Sequence, residues 1–331
     1  MNTNRIAVIG GGSWATAIIK ILSNNCDRLT WWLRSEESVA FINAHRHNPV
    51  YLSDVVIDTG KVTVTSSIQQ AVAEASIIIL AVPSAFLKQV LHDADPEWFR
   101  GKIIFSAIKG IVPEDLLIVG EFVHRRFDTP ISNIGVITGP CHAEEVALEK
   151  LSYLTVACQD THHAALLAGL MNCRYIRTTV SDDIYGTEYS AVIKNIIAIA
   201  SGICHGLSYG DNFQAVLISN AIQEIKRFLD AVSPITRDIN DSAYLGDLLV
   251  TAYSQFSRNR TFGSMIGKGY SVKSAQLEMN MIAEGYYAVK CIHEMNKKYQ
   301  VNLPVCSAVY RILYEHRSPR SEMEMLSGIL R

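Results

Sequence analysis

The chain has 331 residues, of which 49% are hydrophobic and 19% are charged, a composition that excludes a disordered polypeptide and a length that suits two domains. Thirty basic and 32 acidic side chains leave a formal charge of −2, so the charge balance does not favour a nucleic-acid-binding protein. The longest apolar runs are far shorter than the ~20 residues of a membrane-spanning helix. We therefore expect no membrane span and no nucleic-acid partner.

The cysteines and the first apolar run both indicate a cytoplasmic protein. Seven cysteines are widely spread and form no C-x-x-C pair, which is typical of reduced thiols rather than of a disulfide framework or a zinc site. The apolar run that begins at Ile6 is interrupted by Gly10, where the core of a signal peptide would continue. The paired histidines of the sequence lack further metal ligands at useful spacing, so we predict no metal site.

The first part of the chain alternates between short β-branched runs and longer mixed stretches. This alternation predicts βαβ units and a doubly wound, mostly parallel sheet of the Rossmann type. The predicted strands are Arg5–Ile9, Leu29–Leu33, Val62–Thr65, Ile77–Val82, Lys102–Ser106 and Ile134–Thr138, with Leu151–Ala157 and Tyr175–Thr178 as further candidates.

From about Ile184 the pattern changes to long amphipathic periodicity. In the segment Asp211–Val232 apolar residues recur at helical spacing behind Asp211, which we predict to be the N-cap. The sequence therefore predicts an all-helical second domain. We place the boundary near residue 180, so that residues 1–180 form a dinucleotide-binding domain and residues 181–331 form a helical substrate-binding domain.

The first predicted strand is followed at once by Gly10-Gly11-Gly12-Ser13-Trp14-Ala15 and then by a predicted helix. This run fits G-x-G-x-x-G/A, in which the glycines let the backbone approach a pyrophosphate and the helix N-terminus attracts the anion. A glycine-rich turn without a ligand is the simpler alternative. The order of strand, turn and helix favours dinucleotide binding.

Arg34 follows the second predicted strand, at the position where such folds distinguish the two nicotinamide dinucleotides. An acidic residue there binds the ribose hydroxyls of NAD, whereas a basic residue accepts the additional phosphate of NADP. Arg34 therefore favours NADPH over NADH, although it is also consistent with an ordinary surface charge.

Lys194 and Asn195 interrupt a segment that is apolar on nearly every side of a helix. Burial of an ammonium group and an amide costs several kcal/mol unless partners compensate them. Burial also lowers the pKa of a lysine toward neutrality, where its amine can donate or accept a proton as carbonyl reduction requires. A structural lysine–carboxylate pair is the alternative to catalysis.

Polar residues in mostly apolar surroundings follow further along the helical half. Asp247 is a candidate partner for the lysine and equally a candidate helix cap. The run Ser257-Arg258-Asn259-Arg260 has the donors that bind a phosphate, although charged runs are more often solvated. The glycines from Gly263 to Gly269 look like a P-loop, but their spacing is one residue short and no strand precedes them.

Two loops of the first domain complete the candidates. Lys109 follows the strand that ends at Ser106, and Gly139-Pro140-Cys141 follows the strand that ends at Thr138. Both loops are expected at the carboxyl edge of the sheet, where ligands bind in such folds.

In this order the segments resemble the bacterial NAD(P)-dependent glycerol-3-phosphate dehydrogenase family, from Ile6 to about Leu326. The motifs that carry the resemblance are Gly10–Ala17, Ala81–Ser84, Lys109-Gly110, Thr138–Pro140, Val192–Ile199, Leu245–Asp247, Ser257–Arg260 with Phe262-Gly263, and Glu284–Tyr286. The resemblance implies NAD(P)H-dependent, reversible reduction of dihydroxyacetone phosphate to sn-glycerol 3-phosphate for phospholipid synthesis. It also implies a second domain similar to that of 6-phosphogluconate dehydrogenase, and a homodimer.

The resemblance also implies roles for matching residues. Lys194 would exchange the proton at the C2 oxygen, Asp247 would hold it, and Lys109 would stabilise charge beside substrate and cofactor. The residues implied in substrate binding are Lys109, Gly139, Cys141, Lys194, Asp247, Ser257, Arg258 and Asn259. The residues implied in cofactor binding are Gly10, Gly12, Ser13, Trp14, Arg34, Lys109, Ala143, Arg258, Ile282 and Glu284.

Three positions depart from the family pattern. Ala15 replaces a glycine, Cys141 replaces a serine or threonine, and Tyr244 replaces a glycine. Two alternative functions stay open on the sequence alone: a related dehydrogenase for another small phosphorylated or hydroxy-acid substrate, and a dinucleotide-sensing module without turnover.

Overall fold

The computed structural model describes residues 5–279 and 282–331, and these divide into two compact units. The first unit contains the described residues up to Ile108 together with Leu117–Ile184. The second unit contains Lys109–Leu116 and the described residues from Tyr185 to Arg331. The short segment that begins at Lys109 therefore groups with the helical half of the chain.

The first unit is built on an eight-stranded sheet with the strand order β10-β9-β8-β5-β4-β1-β2-β3. The strands of the chain are β1 (Ile6–Ile9), β2 (Leu29–Trp32), β3 (Val62–Thr65), β4 (Ile77–Leu80), β5 (Ile103–Ser106), β6 (Ile111–Val112), β7 (Leu117–Ile118), β8 (Ile134–Thr138), β9 (Ser152–Cys158) and β10 (Ile176–Ser181). All neighbouring strands of the large sheet are parallel except β8 and β9, which are antiparallel. The predicted Rossmann-like sheet is confirmed.

The helices connect the strands in the first unit and form nearly all of the second. They are α1 (Ser13–Leu22), α2 (Glu36–His45), α3 (Ile68–Ala73), α4 (Ser84–Val90), α5 (Val119–Phe127), α6 (Ala143–Ala147), α7 (Thr161–Met171), α8 (Ile184–Gly206), α9 (Asp211–Val232), α10 (Asp247–Tyr253), α11 (Arg258–Gly267), α12 (Val272–Glu278), α13 (Glu284–Tyr299), α14 (Pro304–Tyr314) and α15 (Pro319–Ser327). Within the described residues, no helix has the length and hydropathy that spanning a bilayer requires.

The central strand of the sheet sets the position of the glycine-rich turn. Strand β1 pairs with β2 on one side and with β4 on the other, so the strand order reverses at its carboxyl end. In open α/β sheets ligands bind at such a switch point. Gly10 leaves β1 with a φ of +144°, and a Cβ there would lie 2.3 Å from the Ala81 carbonyl oxygen. Only glycine fits this turn.

Helix α8 lies at the centre of the second unit, as its sequence predicts. Its residues from Ala191 to Cys204 are all buried. Ser201 Oγ donates to the Ala252 carbonyl of α10 at 2.7 Å and accepts from Gln214 of α9. Helix α8 also contacts α11 at Gly202 and α13 at Asn195.

Helix α11 packs directly on the backbone of α8. A Cβ added to Gly202 would lie 2.0 Å from the Arg260 carbonyl oxygen, and one added to Gly263 would lie 2.1 Å from the Ile199 carbonyl oxygen. Two helices with side chains at these positions could not approach so closely. The glycines that resemble a P-loop in the sequence thus include one that serves helix packing.

The N-cap prediction for α9 is wrong by one residue. Gly210, in extended conformation, holds the cap position, and Asp211 is the first residue of the helix. An acidic residue in the first turn still interacts favourably with the positive end of the helix dipole. Asp247 likewise begins α10, whose cap position is Gly246.

A buried carboxylate connects α9 to α14. Glu224 is fully buried, and its carboxylate accepts hydrogen bonds from the backbone N–H groups of Val305 and Cys306, in the first turn of α14. Burial raises the pKa of Glu224 to about 7, although these two hydrogen bonds favour the ionised form.

We expect Gly202→Ala to lower the free energy of unfolding by several kcal/mol, because the added methyl group would overlap the Arg260 carbonyl and separate α8 from α11. Gly169→Ala is the matched control, since it lies in α7 and a Cβ there meets nothing within 4 Å. That substitution should raise stability by up to about 1 kcal/mol. Urea unfolding of both variants tests this packing, and equal effects would contradict it.

Candidate active site

Three charged side chains of the second unit meet in its interior. Lys194 of α8 forms an ion pair with Oδ1 of Asp247, and Lys109 Nζ lies 3.2 Å from Oδ2 of the same carboxylate. Lys194 is 2% exposed and Asp247 is 1% exposed. From the sequence, Asp247 is a candidate both for a helix cap and for a lysine partner. In the structure its carboxylate binds two lysines.

The pKa values of this cluster follow from burial and from mutual charge. Burial lowers the pKa of Lys194 to about 7; the Asp247 charge opposes this shift, while Lys109 adds to it. Burial would raise the pKa of Asp247, but the positive charges of Lys109 and Lys194 outweigh it and bring the pKa below its ordinary value. The arrangement provides a permanent anion beside an amine that can change protonation state at neutral pH.

Two neutral side chains complete the cluster. Lys194 Nζ donates to Thr251 Oγ1 at 3.1 Å, and Thr251 Oγ1 donates to the Asp247 carbonyl oxygen at 2.7 Å. Asn195 Nδ2 donates to the Lys109 carbonyl oxygen at 2.8 Å, which fixes the backbone that carries this second lysine. Thr251 was not among the predicted site residues; its spacing of four residues from Asp247 places both on one face of α10.

The polar run before α11 forms the beginning of that helix. Ser257 is the N-cap, and its hydroxyl accepts from the Arg260 N–H at 3.3 Å. Asn259 is buried, and its Oδ1 accepts from the Gly285 N–H at 2.9 Å. A Cβ on Gly285 would lie 2.6 Å from the Asn195 carbonyl oxygen, so the start of α13 lies against α8 at Asn195.

Arg258 is the first residue of α11 and is half-buried. Its guanidinium group and the N–H groups of the first helical turn are suitable donors for a phosphate. Asn259 connects this helix end to α13, and Gly285 of α13 lies on the Asn195 backbone. The predicted phosphate-binding residues are thus placed on the same side of α8 as Asn195.

In the first unit, two side chains from other segments bond to the backbone of the glycine turn. Trp31 Nε1 donates to the Gly10 carbonyl oxygen at 2.6 Å, and buried Asn48 donates through Nδ2 to the Gly11 carbonyl oxygen at 3.1 Å and to Thr16 Oγ1 at 2.9 Å. Asn48 was not predicted either, because no local pattern connects it to a turn 37 residues earlier.

The residues present at this turn fit a dinucleotide. A Cβ added to Gly12 would meet nothing within 4 Å, so the backbone is open at the N-terminus of α1, where a pyrophosphate binds in this fold. Trp14 Nε1 is buried and has no hydrogen-bond partner among the described residues. Ala15 is fully buried in α1, so the small third residue of the fingerprint serves close packing.

The remaining predicted residues divide between the two units. Arg34 is exposed two residues after the end of β2, and Ala143 is the buried first residue of α6, which packs against α1. Gly139, with a φ of +111°, and the buried thiol of Cys141 follow β8 in the same unit. In the second unit, Ile282 precedes α13 and Glu284 begins it.

Tyr244, the third departure from the family pattern, is buried in a π-helical turn over Ser242–Gly246 that leads into α10. Among the described residues, no three histidine, cysteine, aspartate or glutamate side chains come together as metal ligands would.

Comparison with known protein families matches both halves of the chain. Residues 5–164 match the N-terminal domain of NAD-dependent glycerol-3-phosphate dehydrogenase, and residues 183–324 match its C-terminal domain. The glycerol-3-phosphate dehydrogenase (NAD(P)+) of Macrococcus caseolyticus is 35% identical over 312 residues, which cover 94% of each chain. The enzyme of Exiguobacterium sp. with the same name is 35% identical over 322 residues, covering 97% of this chain and 94% of the other.

Solved structures give the same result. The glycerol-3-phosphate dehydrogenase of Coxiella burnetii superposes with a TM-score of 0.91 at 27% identity, over 98% of this chain and 99% of that one. D-mandelate dehydrogenase, at a TM-score of 0.60 and 18% identity, shares the fold. The family predicted from the motifs is confirmed: the chain belongs to the NAD-dependent glycerol-3-phosphate dehydrogenase family.

Proposed function

We propose that this enzyme catalyses the reversible, NAD(P)H-dependent reduction of dihydroxyacetone phosphate to sn-glycerol 3-phosphate. The observation that carries the proposal is the buried Lys194, paired with Asp247 and Thr251 and with a pKa of about 7. The names of the relatives support this substrate over another phosphorylated or hydroxy-acid substrate, and over a module without turnover.

The lysine pair acts at the substrate C2 oxygen. Negative charge grows on this oxygen as the ketone is reduced, and Lys194 in its ammonium form donates the proton that neutralises it. Asp247 holds both lysines through its two carboxylate oxygens. Lys109 stabilises the growing charge and, in the family pattern, also borders the cofactor. In the reverse direction, neutral Lys194 accepts the proton of the alcohol.

The substrate phosphate binds at the beginning of α11. Arg258, Asn259 and Ser257 supply the donors, with the helix N-terminus adding its positive dipole end. By the family pattern, Gly139 and Cys141 are also substrate-binding residues, although a thiol is a weaker hydrogen-bond donor than the family's usual hydroxyl.

By the family pattern, the dinucleotide-binding residues are those of the Gly10–Trp14 turn with Arg34 and Ala143, and Lys109, Arg258, Ile282 and Glu284. When the dinucleotide is bound, its reduced nicotinamide supplies the hydride. The exposed Arg34 after β2 favours NADPH, because its guanidinium group is a suitable partner for the 2′-phosphate.

In the cell, we infer that the enzyme acts as a homodimer in the cytoplasm and supplies phospholipid synthesis. None of the seven cysteines forms a disulfide, which supports a reducing compartment. Residues 1–180 then serve mainly in cofactor binding and residues 181–331 in substrate binding. Lys109 precedes residue 180 in the sequence but belongs to the second compact unit.

The proposal is tested by NADPH oxidation, followed at 340 nm with and without dihydroxyacetone phosphate. Wild-type enzyme should oxidise NADPH only with the ketone. Lys194→Ala should lower kcat by at least ~10² to 10⁴, since it removes both the proton donor and a charge at the oxygen, with little loss of NADPH affinity. An inactive wild type, or a fully active variant, would refute the proposal.

The direction of the pH dependence follows from the lowered pKa of Lys194. Ketone reduction needs the ammonium form, which is lost as the pH rises above about 7, so kcat/KM for reduction should fall above this pH. Alcohol oxidation needs the neutral amine, so its kcat/KM should rise with pH and level off above about 7. Profiles between pH 5.5 and 9 check both signs; parallel profiles would assign the proton transfer to another group.

Arg34→Ala tests the cofactor preference. The substitution should lower kcat/KM for NADPH by about tenfold or more, as one charge-assisted hydrogen bond contributes about 1.5–3 kcal/mol, and should leave kcat/KM for NADH nearly unchanged. Arg28→Ala is the matched control, because Arg28 is also exposed but precedes the same strand at its amino end. A wild-type preference for NADH would contradict the assignment.

A further inference from the structure

Ser190 of α8 has a buried hydroxyl that the chemistry above does not use. It is 1% exposed, and its Oγ has no hydrogen-bond partner among the described residues. A hydroxyl buried in this way is less favourable than one that is hydrogen-bonded. Such an orphaned group in an otherwise well-paired helix indicates a partner that arrives from outside the chain.

Ser190 lies on the side of α8 that carries Lys194. Helical side chains tilt toward the N-terminus, so the long Lys194 side chain extends over the turn that carries Ser190, one turn earlier. Ser190, Lys194 and Ser201 lie within about 40° of one another around the helix axis. On this stripe of α8, Lys194 bonds to Asp247 and Thr251 of α10, and Ser201 bonds to Ala252 of α10.

The register of α8 and α10 places Ser190 near the beginning of α10. Ser201 meets Ala252 near the end of α10, whereas the Lys194 ammonium group meets Asp247, its first residue. Ser190 lies about 6 Å before Lys194 along the axis, at the level to which the Lys194 side chain extends.

The phosphate-binding residues lie on the opposite side of Lys194. With about 100° per residue, Asn195 is rotated about 100° to one side of Lys194, and Ser190 about 40° to the other. The Asn195 backbone is where Gly285 lies, and Gly285 is bonded to Asn259. A three-carbon substrate with its phosphate on the Asn259 side and its C2 oxygen at Lys194 would direct its remaining carbon toward Ser190.

We propose that Ser190 is a specificity-determining residue whose hydroxyl binds the free C1 hydroxyl of the substrate. The inference rests on the proposed function and extends it, since Lys194 and α11 account for the C2 oxygen and the phosphate and no residue named so far is assigned to the C1 hydroxyl. The enzyme thereby selects a hydroxymethyl ketone phosphate over a methyl ketone phosphate.

The experiment combines Ser190→Ala with a substrate that lacks the same hydroxyl, 2-oxopropyl phosphate. Wild-type enzyme should prefer dihydroxyacetone phosphate to this methyl ketone in kcat/KM. Ser190→Ala should lower kcat/KM for dihydroxyacetone phosphate about tenfold and leave that for the methyl ketone unchanged, so that the preference shrinks by the same factor. Because the variant removes a buried hydroxyl without a partner, it should be at least as stable as the wild type.

Ser201→Ala is the matched control, because Ser201 is a buried serine of the same stripe whose hydroxyl is already bonded within the protein. It should change kcat/KM for both ketones by one common factor. If Ser190→Ala also changes both ketones equally, or changes neither, the inference is overturned while the proposed function stands. If wild-type enzyme reduces neither ketone, the proposed function itself fails.

Discussion

The ion pair between Lys194 and Asp247 is the interaction on which the second unit depends. Both side chains are almost completely buried, and an unpaired charge at either position would destabilise the fold by about 3–5 kcal/mol. The pair is held in place by neighbours that are themselves fixed: Thr251 bonds to Lys194 and to the backbone of Asp247, and Asn195 holds the backbone of Lys109. The same burial that makes the pair costly gives Lys194 a pKa near neutrality, and thus a use in catalysis.

Close helix packing fixes the position of this ion pair relative to the neighbouring helices. Gly202 and Gly263 allow α8 and α11 to touch through their backbones, and Gly285 brings the start of α13 against Asn195. These contacts leave little freedom to shift α11, which carries Arg258 and Asn259, relative to the helix that carries Lys194. A rigid support of this kind is what a site needs if substrate groups are to be positioned to within a fraction of an ångström.

Much of the fold was predictable because strong local patterns determine it. Apolar runs mark the strands from β1 to β5, and the glycine turn marks the switch point, since only glycine adopts the φ of Gly10 beside Ala81. The reversed direction of β9 relative to β8 could not be predicted, because strand direction depends on partners rather than on local sequence. The N-cap of α9 differed by one residue because glycine and aspartate both suit that position.

Within the site, the sequence identifies the residues whose chemistry is costly to bury, above all Lys194. The sequence does not decide whether Asp247 is a helix cap or an ion-pair partner, because an acidic residue at the start of a helix suits both roles. Thr251 and Asn48 were missed for a related reason. A threonine in a helix or an asparagine in a loop is common, and only the folded chain shows that each bonds to a functional segment.

Glu224 makes the last helices an integral part of the second unit. Its carboxylate, deep inside α9, relies on the N–H groups of Val305 and Cys306 at the beginning of α14, more than 80 residues later. A polypeptide that ends before α14, whether from a premature stop or as a nascent chain still being synthesised, would lack these two donors for the buried Glu224 carboxylate. Helix α9 therefore reaches its mature packing only after α14 has been made, and the helical half completes its folding late in translation.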